Sequence, residues 1–154
     1  MFDNNIIMMK QKILLFAVLL SFSFQIHAFD AVGHRIISEI AYDNLKCGTR
    51  KKVDKLLGKH GMIYASVWAD DVRSDRTYAY SHNWHFQNLK DGMTIDELQF
   101  LLDNPKSEGK HLFFALDSLA ESLKKNKNDL EALKFIVHFS ADLFQPMHLG
   151  RLTD

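Results

Sequence analysis

LKFIVHFSADLFQPMH, from Leu133 to His148, is apolar on nearly every side until a Gln-Pro pair stops it. His138 and Asp142 stand four apart and therefore share one face of a helix. Phe135, Ile136, Val137, Phe139, Ala141, Leu143 and Phe144 surround them. A helix that is apolar all round belongs inside a protein. An imidazole and a carboxylate inside it need partners, because burying a lone charge is costly. Two arrangements meet that need. The pair can hydrogen-bond to each other and pin the helix, or both can hold a metal ion such as zinc, which accepts N and O donors. His148 follows just past the proline turn.

Working outward from this helix, the remaining chain also reads as helical. Val32, Ile36, Ile37, Ile40, Ala41 and Leu45 recur at helical spacing between Ala31 and Leu45. Arg50 to Leu57 predicts a short second helix, stopped near Gly58 and Gly61, and Ile63 to Val72 a third. Asp75 to Asn83, polar and rich in tyrosine, reads as a loop. Thr94 with Glu97 three positions on is a capping box that opens a helix to Leu102. Asn104, Pro105, Ser107 and Gly109 break the chain, and His111 to Leu123 is strongly amphipathic. Asn128 is expected to cap the last helix, which runs to about Leu143. Alternation of period two is confined to Trp84–Leu89. The expected class is all-α, a multi-helix fold.

The length of 154 residues suggests one domain, placed at residues 29–154. Nineteen basic and nineteen acidic side chains balance, so no broad cationic face recruits duplex nucleic acid. Residues 1–28 read as a secretory signal: Lys10 and Lys12, an apolar run from Ile13 to Phe24, and Ala28 at the exit. An N-terminal membrane anchor is the alternative reading of this segment, but the run is too short to span a bilayer. Cleavage after Ala28 makes Phe29 the mature N-terminus, leaves no stable membrane anchor, and implies a secreted or periplasmic protein. Cys47 is the single cysteine, so the chain has no internal disulfide.

Three further segments hold candidate chemistry, each with an ordinary structural alternative. In Trp68-Ala-Asp-Asp-Val-Arg73, Asp70 can hold a metal and Arg73 a phosphoryl oxygen, or the two form a surface salt bridge. His85, between Trp84 and Phe86, is a ligand or a packed ring. His34, inside the first amphipathic helix, is a ligand or a core residue. His60, His82 and His111 read as solvated or structural.

Taken together, the FDAVGH run at Phe29–His34, WADDVR, WHF and HFSADLFQPMH resemble the zinc-dependent single-strand nucleases of the mung bean, S-one and P-one type. The order is the same, the likeness covers nearly the whole chain after Ala28, and the His-x-x-x-Asp-x-x-x-Gln-Pro-x-His run is specific. The resemblance implies a helical nuclease with three zinc ions that cuts single-stranded DNA and RNA to 5′-nucleotides, with 3′-nucleotidase activity as a further expectation. It implies Asp70, His85, His138 and Asp142 at a first zinc. At a second it implies Asp142 as a bridge, His34, and the amino nitrogen and carbonyl of Phe29. His148 would serve a third zinc whose other ligands lie further along in the family, so the chain is expected to be C-terminally truncated, with two zincs fully liganded. Arg73 would steady the phosphoryl oxygens, Phe86 would stack on an unpaired base, and Asn88 would meet its edge. The catalytic pair is therefore Arg73 and Asp142. Single-stranded nucleic acid and nucleotides are the expected partners, with no protein partner. Zinc-dependent phospholipase C, which has a similar ligand set, is the alternative enzyme, and an inactive zinc-binding fragment is the alternative from another class.

Overall fold

Six α-helices and two 3-10 segments order the chain in a computed structural model that describes residues 30–107 and 109–150. No strand lies among the described residues, in keeping with the all-α expectation. The signal-like segment and Phe29 lie outside them. The helices are α1 (Ala31–Asp43), α2 (Cys47–Leu57), α3 (Gly61–Asp71), α4 (Ile95–Asp103), α5 (Leu112–Lys125) and α6 (Leu130–Asp142). A 3-10 helix spans Arg76–His85 and a short 3-10 turn Pro146–His148.

α6 is the central element. It packs against α3 on one side and α5 on the other, and α1 closes over α3 and α6. Phe135 and Phe139 are fully buried and stack at 5.2 Å between ring centroids. Trp68, Tyr78, Tyr80 and Trp84 set their edges against Phe135. Ala69, Leu112, Ala115, Leu119 and Ala132 fill the space between the helices. A Phe or Leu buried this way contributes about 1.5–3 kcal/mol, so the core that fixes α6 also fixes the polar residues embedded in it.

Several boundaries differ from the sequence reading, each for a local reason. Asp129, not Asn128, caps α6: its carboxylate accepts from Ala132 N and from the Ser122 hydroxyl, while the Asn128 amide is held by Asn126 Oδ1. α2 begins at Cys47, without a side-chain cap, and ends at Gly58, whose φ of 81° suits glycine. The tyrosine-rich segment is a 3-10 helix and not a loop; Asp75 caps it by accepting from Thr77 N. The Thr94–Glu97 capping box forms. Trp84–Leu89 yields no strand, but Gln87 N donates to His148 O and Leu89 N to Gly150 O, both at 2.8 Å. This short pairing ties the residues after His85 to those after the proline turn. Phe144, expected among buried neighbours, is 71% exposed because α6 ends at Asp142.

Candidate metal centre

Four elements deliver five side chains of metal-ligating type to one point. α1 supplies His34 from its first turn, α3 supplies Asp70 from its last, and His85 ends the 3-10 helix. His138 and Asp142 project from the same face of α6. His34, His85, His138 and Asp142 are all at most 2% exposed, whereas Asp70 is 45% exposed. The cluster is therefore closed on the core side and open to solvent beside Asp70.

Four donor atoms form a compact set. His85 Nδ1 lies 3.1 Å from both Asp142 Oδ2 and His138 Nε2, and 3.7 Å from Asp70 Oδ1. His138 Nε2 lies 3.2 Å from Asp142 Oδ2 and 3.6 Å from Asp70 Oδ1. Ligands on a tetrahedral zinc with bonds of about 2.0–2.1 Å stand about 3.3–3.4 Å apart, so these five separations bracket the edges of such a tetrahedron. The other carboxylate oxygen, Asp142 Oδ1, faces His34 Nε2 at 3.3 Å and His148 Nε2 at 3.7 Å. The His34 and His138 rings stack at 4.2 Å.

The hydrogen bonds test whether a cation fits. His138 Nδ1 lies 2.6 Å from the Ser66 carbonyl, which can only accept. Its proton is therefore on Nδ1, and in the neutral ring Nε2 carries a lone pair. That lone pair faces two carboxylate oxygens at 3.2 and 3.6 Å, an acceptor facing acceptors, so either a proton on Nε2 or a metal ion must lie between them. Asp142 Oδ1 is buried without a well-formed hydrogen bond, with only the His34 and His148 rings facing it at 3.3 and 3.7 Å, unusual for a polar atom in a packed interior. A metal ion satisfies these demands, and the carbonyl bond to His138 is the kind of support that orients a metal-bound imidazole.

Without an ion the protonation balance expresses the same demand. Burial pushes the Asp142 carboxyl up, but the facing rings of His138, His34 and His85 outweigh it and hold it well below the usual carboxylate range. Burial pulls His138 down, yet its bond to Asp142 and the charges of Asp142 and Asp70 raise it above an ordinary imidazole. His148, half-buried, is lowered chiefly by burial.

The remaining candidates lie around this point. Arg73 follows the end of α3 in a turn, its amide donating to Asp70 O. Its side chain is exposed and makes no hydrogen bond or ion pair among the described residues; it does not form a salt bridge with Asp70. His82 binds the Arg73 carbonyl through Nε2 at 2.7 Å, a structural role. Phe86 is half-buried and Asn88 exposed, on the segment paired with His148–Gly150. Sequence reading passed over the Ser66 carbonyl and buried Gln87; His111, read as solvated or structural, packs its ring 5.9 Å from that of Phe86. A backbone carbonyl has no sequence pattern, and His111 lacks the spacing that would mark it.

A sequence profile of the S1/P1 nuclease family matches residues 29–154. Endonuclease 2 of Arabidopsis thaliana is 28% identical over 141 residues, covering 84% of this chain and 48% of that protein. Endonuclease 1 of the same plant is 24% identical over 141 residues, 84% of this chain and 46% of its own length. Nuclease P1 of Penicillium citrinum is 27% identical over 124 residues, 77% of this chain and 46% of its own. The chain thus spans about half the length of the curated relatives it matches. No solved structure matches it significantly.

Proposed function

The chain belongs to the S1/P1 nuclease family, and from that premise we propose that it is a zinc-dependent phosphodiesterase that hydrolyses single-stranded DNA and RNA to 5′-nucleotides. The observation that carries the reading is the four-donor set of Asp70, His85, His138 and Asp142, with separations of 3.1–3.7 Å. In this reading those four side chains hold one zinc. Asp142 Oδ1, His34 and the amino terminus at Phe29 hold a second, and His148 serves a third. Bound there, zinc supplies Lewis-acid polarisation of the phosphoryl group and a nucleophile at neutral pH.

The chain's own groups do the rest. Asp142 divides its two oxygens between the two sets of imidazoles, and so keeps the sites in a fixed relation. Ser66 holds His138 in the tautomer that presents Nε2. Arg73, exposed and unengaged beside the open edge at Asp70, offers a planar fork to the phosphoryl oxygens as their charge grows. Phe86 offers a face on which an unpaired base can stack, and Asn88 offers an amide that both donates and accepts. Pairing of the 87–89 segment with 148–150 keeps that platform next to His148.

The test is metal analysis of the exported protein, together with hydrolysis of single-stranded and duplex oligonucleotides and of phosphatidylcholine, before and after zinc removal. We expect bound zinc and zinc-dependent cleavage of the single strand. Release from phosphatidylcholine without oligonucleotide cleavage would assign the site to a phospholipase. Bound zinc with no turnover would reduce the protein to a binding remnant.

A further inference from the structure

α2 is the only α-helix of the described residues that buries none of its side chains. Its Val53 and Leu56 instead line a groove of about 520 Å³, whose far wall is Leu123 of α5 and Leu133 and Ile136 of α6. Four lysines stand around this apolar floor: Lys52 and Lys55 on α2, Lys124 in the last turn of α5, and Lys127 just beyond it. No acidic residue and no aromatic ring lines the groove.

The carboxylates on the surrounding elements are already engaged. Asp54, the one acid of α2, accepts from the Tyr42 hydroxyl. Asp117 and Glu121 of α5 both pair with Lys106. Asp129 caps α6 and accepts from Ser122, and Glu131 accepts from Tyr80. Asp142 belongs to the metal centre. Two cationic rims therefore flank an apolar floor that no acidic side chain lines.

We propose that this groove docks an acidic amphipathic helix of a partner protein. Apolar side chains at i, i+3, i+4 and i+7 sit on the floor, and carboxylates on the two flanks meet Lys52 with Lys55 and Lys124 with Lys127. A single-chain fatty acid carries one carboxylate and can neutralise only one rim. A nucleic-acid strand would find lysines but no ring for its bases to stack on. A flat bilayer surface cannot reach residues at the bottom of a concave groove.

Fluorescence anisotropy on the full chain tests this, using a labelled synthetic helix with leucines at i, i+3, i+4 and i+7 and glutamates on both flanks. We expect saturable binding that weakens with salt. The double change Lys52→Glu with Lys124→Glu should weaken it by at least about tenfold, and that variant should gain affinity for the same peptide carrying lysines on its flanks. Leu56→Gln should weaken both peptides. Circular dichroism verifies that each variant is folded. Absence of saturable binding, equal binding of a scrambled peptide, or no effect of the charge reversal overturns the proposal. So does tighter binding, through these same lysines, of a poly-thymidine oligonucleotide or of phosphatidylglycerol vesicles.

Discussion

Asp142 presents one oxygen to His85 and His138 and the other to His34 and His148. No other side chain of the cluster faces both ways. An amide at this position would keep the shape but lose the negative charge shared between two sets of imidazoles. Asp142→Asn is therefore expected to lose bound zinc from both sites, and turnover with it, by at least on the order of a hundredfold. His148→Ala, which removes a partly exposed ring from the edge, should retain the ion held by Asp70, His85 and His138. Zinc content and turnover measured side by side decide the point; equal and mild losses in the two variants would contradict the bridging role. Arg73 calls for the opposite pattern. Its side chain is exposed and bonded to nothing among the described residues, so Arg73→Ala should leave zinc content and melting temperature unchanged while lowering turnover roughly a hundredfold to a thousandfold. Lysine should restore only part, lacking the planar fork. A drop in activity that merely tracks lost zinc would count against a transition-state role.

Among the elements, α6 depends on the cap that positions it. Asp129 accepts from Ala132 N and Ser122, and these bonds hold its carboxyl below the usual range. A depressed folded-state pKa adds stability above the unfolded value of about 3.9, and that stability is lost as pH falls through the folded value. Asp129→Ala should cost about 1 kcal/mol at neutral pH, with the gap to wild type closing in acid below about pH 4; denaturant titrations at both pH values measure it. A gap unchanged in acid would mean that the carboxylate is not the cap. The neighbouring pair Asn128-Asp129 also marks where legibility ended. Both residue types cap helices, and the choice is made by contacts from Asn126 and Ser122 that lie outside the cap's own pattern. The apolar run of α6 and the Thr94–Glu97 box were readable because each carries its signal within a few residues. The 3-10 helix before His85 was not: its i→i+3 bonds lack the 3.6-residue repeat, and its order comes from tyrosines packed against Phe135, far away in sequence. The candidate donors were legible by residue type and by the spacing within α6. Which carboxylate oxygen faces which ring, and the Ser66 carbonyl behind His138, depend on the crossing of α3 with α6 and leave no mark in the sequence.

For the whole molecule, the candidate metal centre joins α1, α3, the 3-10 helix and α6 at a buried point, so the proposed zinc occupancy is linked to folding. Three imidazoles and a carboxylate inside a core are costly without compensation. In the metal-free protein a proton on His138 supplies the positive charge: burial opposes it, but Asp142 and Asp70 raise the group above 6.5. A raised folded-state pKa means that this contribution is present below the unfolded value and is lost as pH rises through the folded one. Zinc reverses the trend, because it binds deprotonated imidazole and competes with the proton. An ion that binds only the folded chain adds about 2.7 kcal/mol at a hundredfold excess over its dissociation constant, which for a chain of this size raises the melting temperature on the order of 5–10 °C. The zinc-loaded protein should therefore melt higher than the chelated one, and the difference should widen from about pH 6 upward, since below the histidine range of about 6.5 the proton already occupies the site. Calorimetry of matched loaded and chelated samples across that range reads the effect directly. A melting temperature indifferent to zinc, or a difference that shrinks as pH rises, would show that the four elements are held together by their apolar core alone and that the buried cluster does not take up the ion in the folded protein.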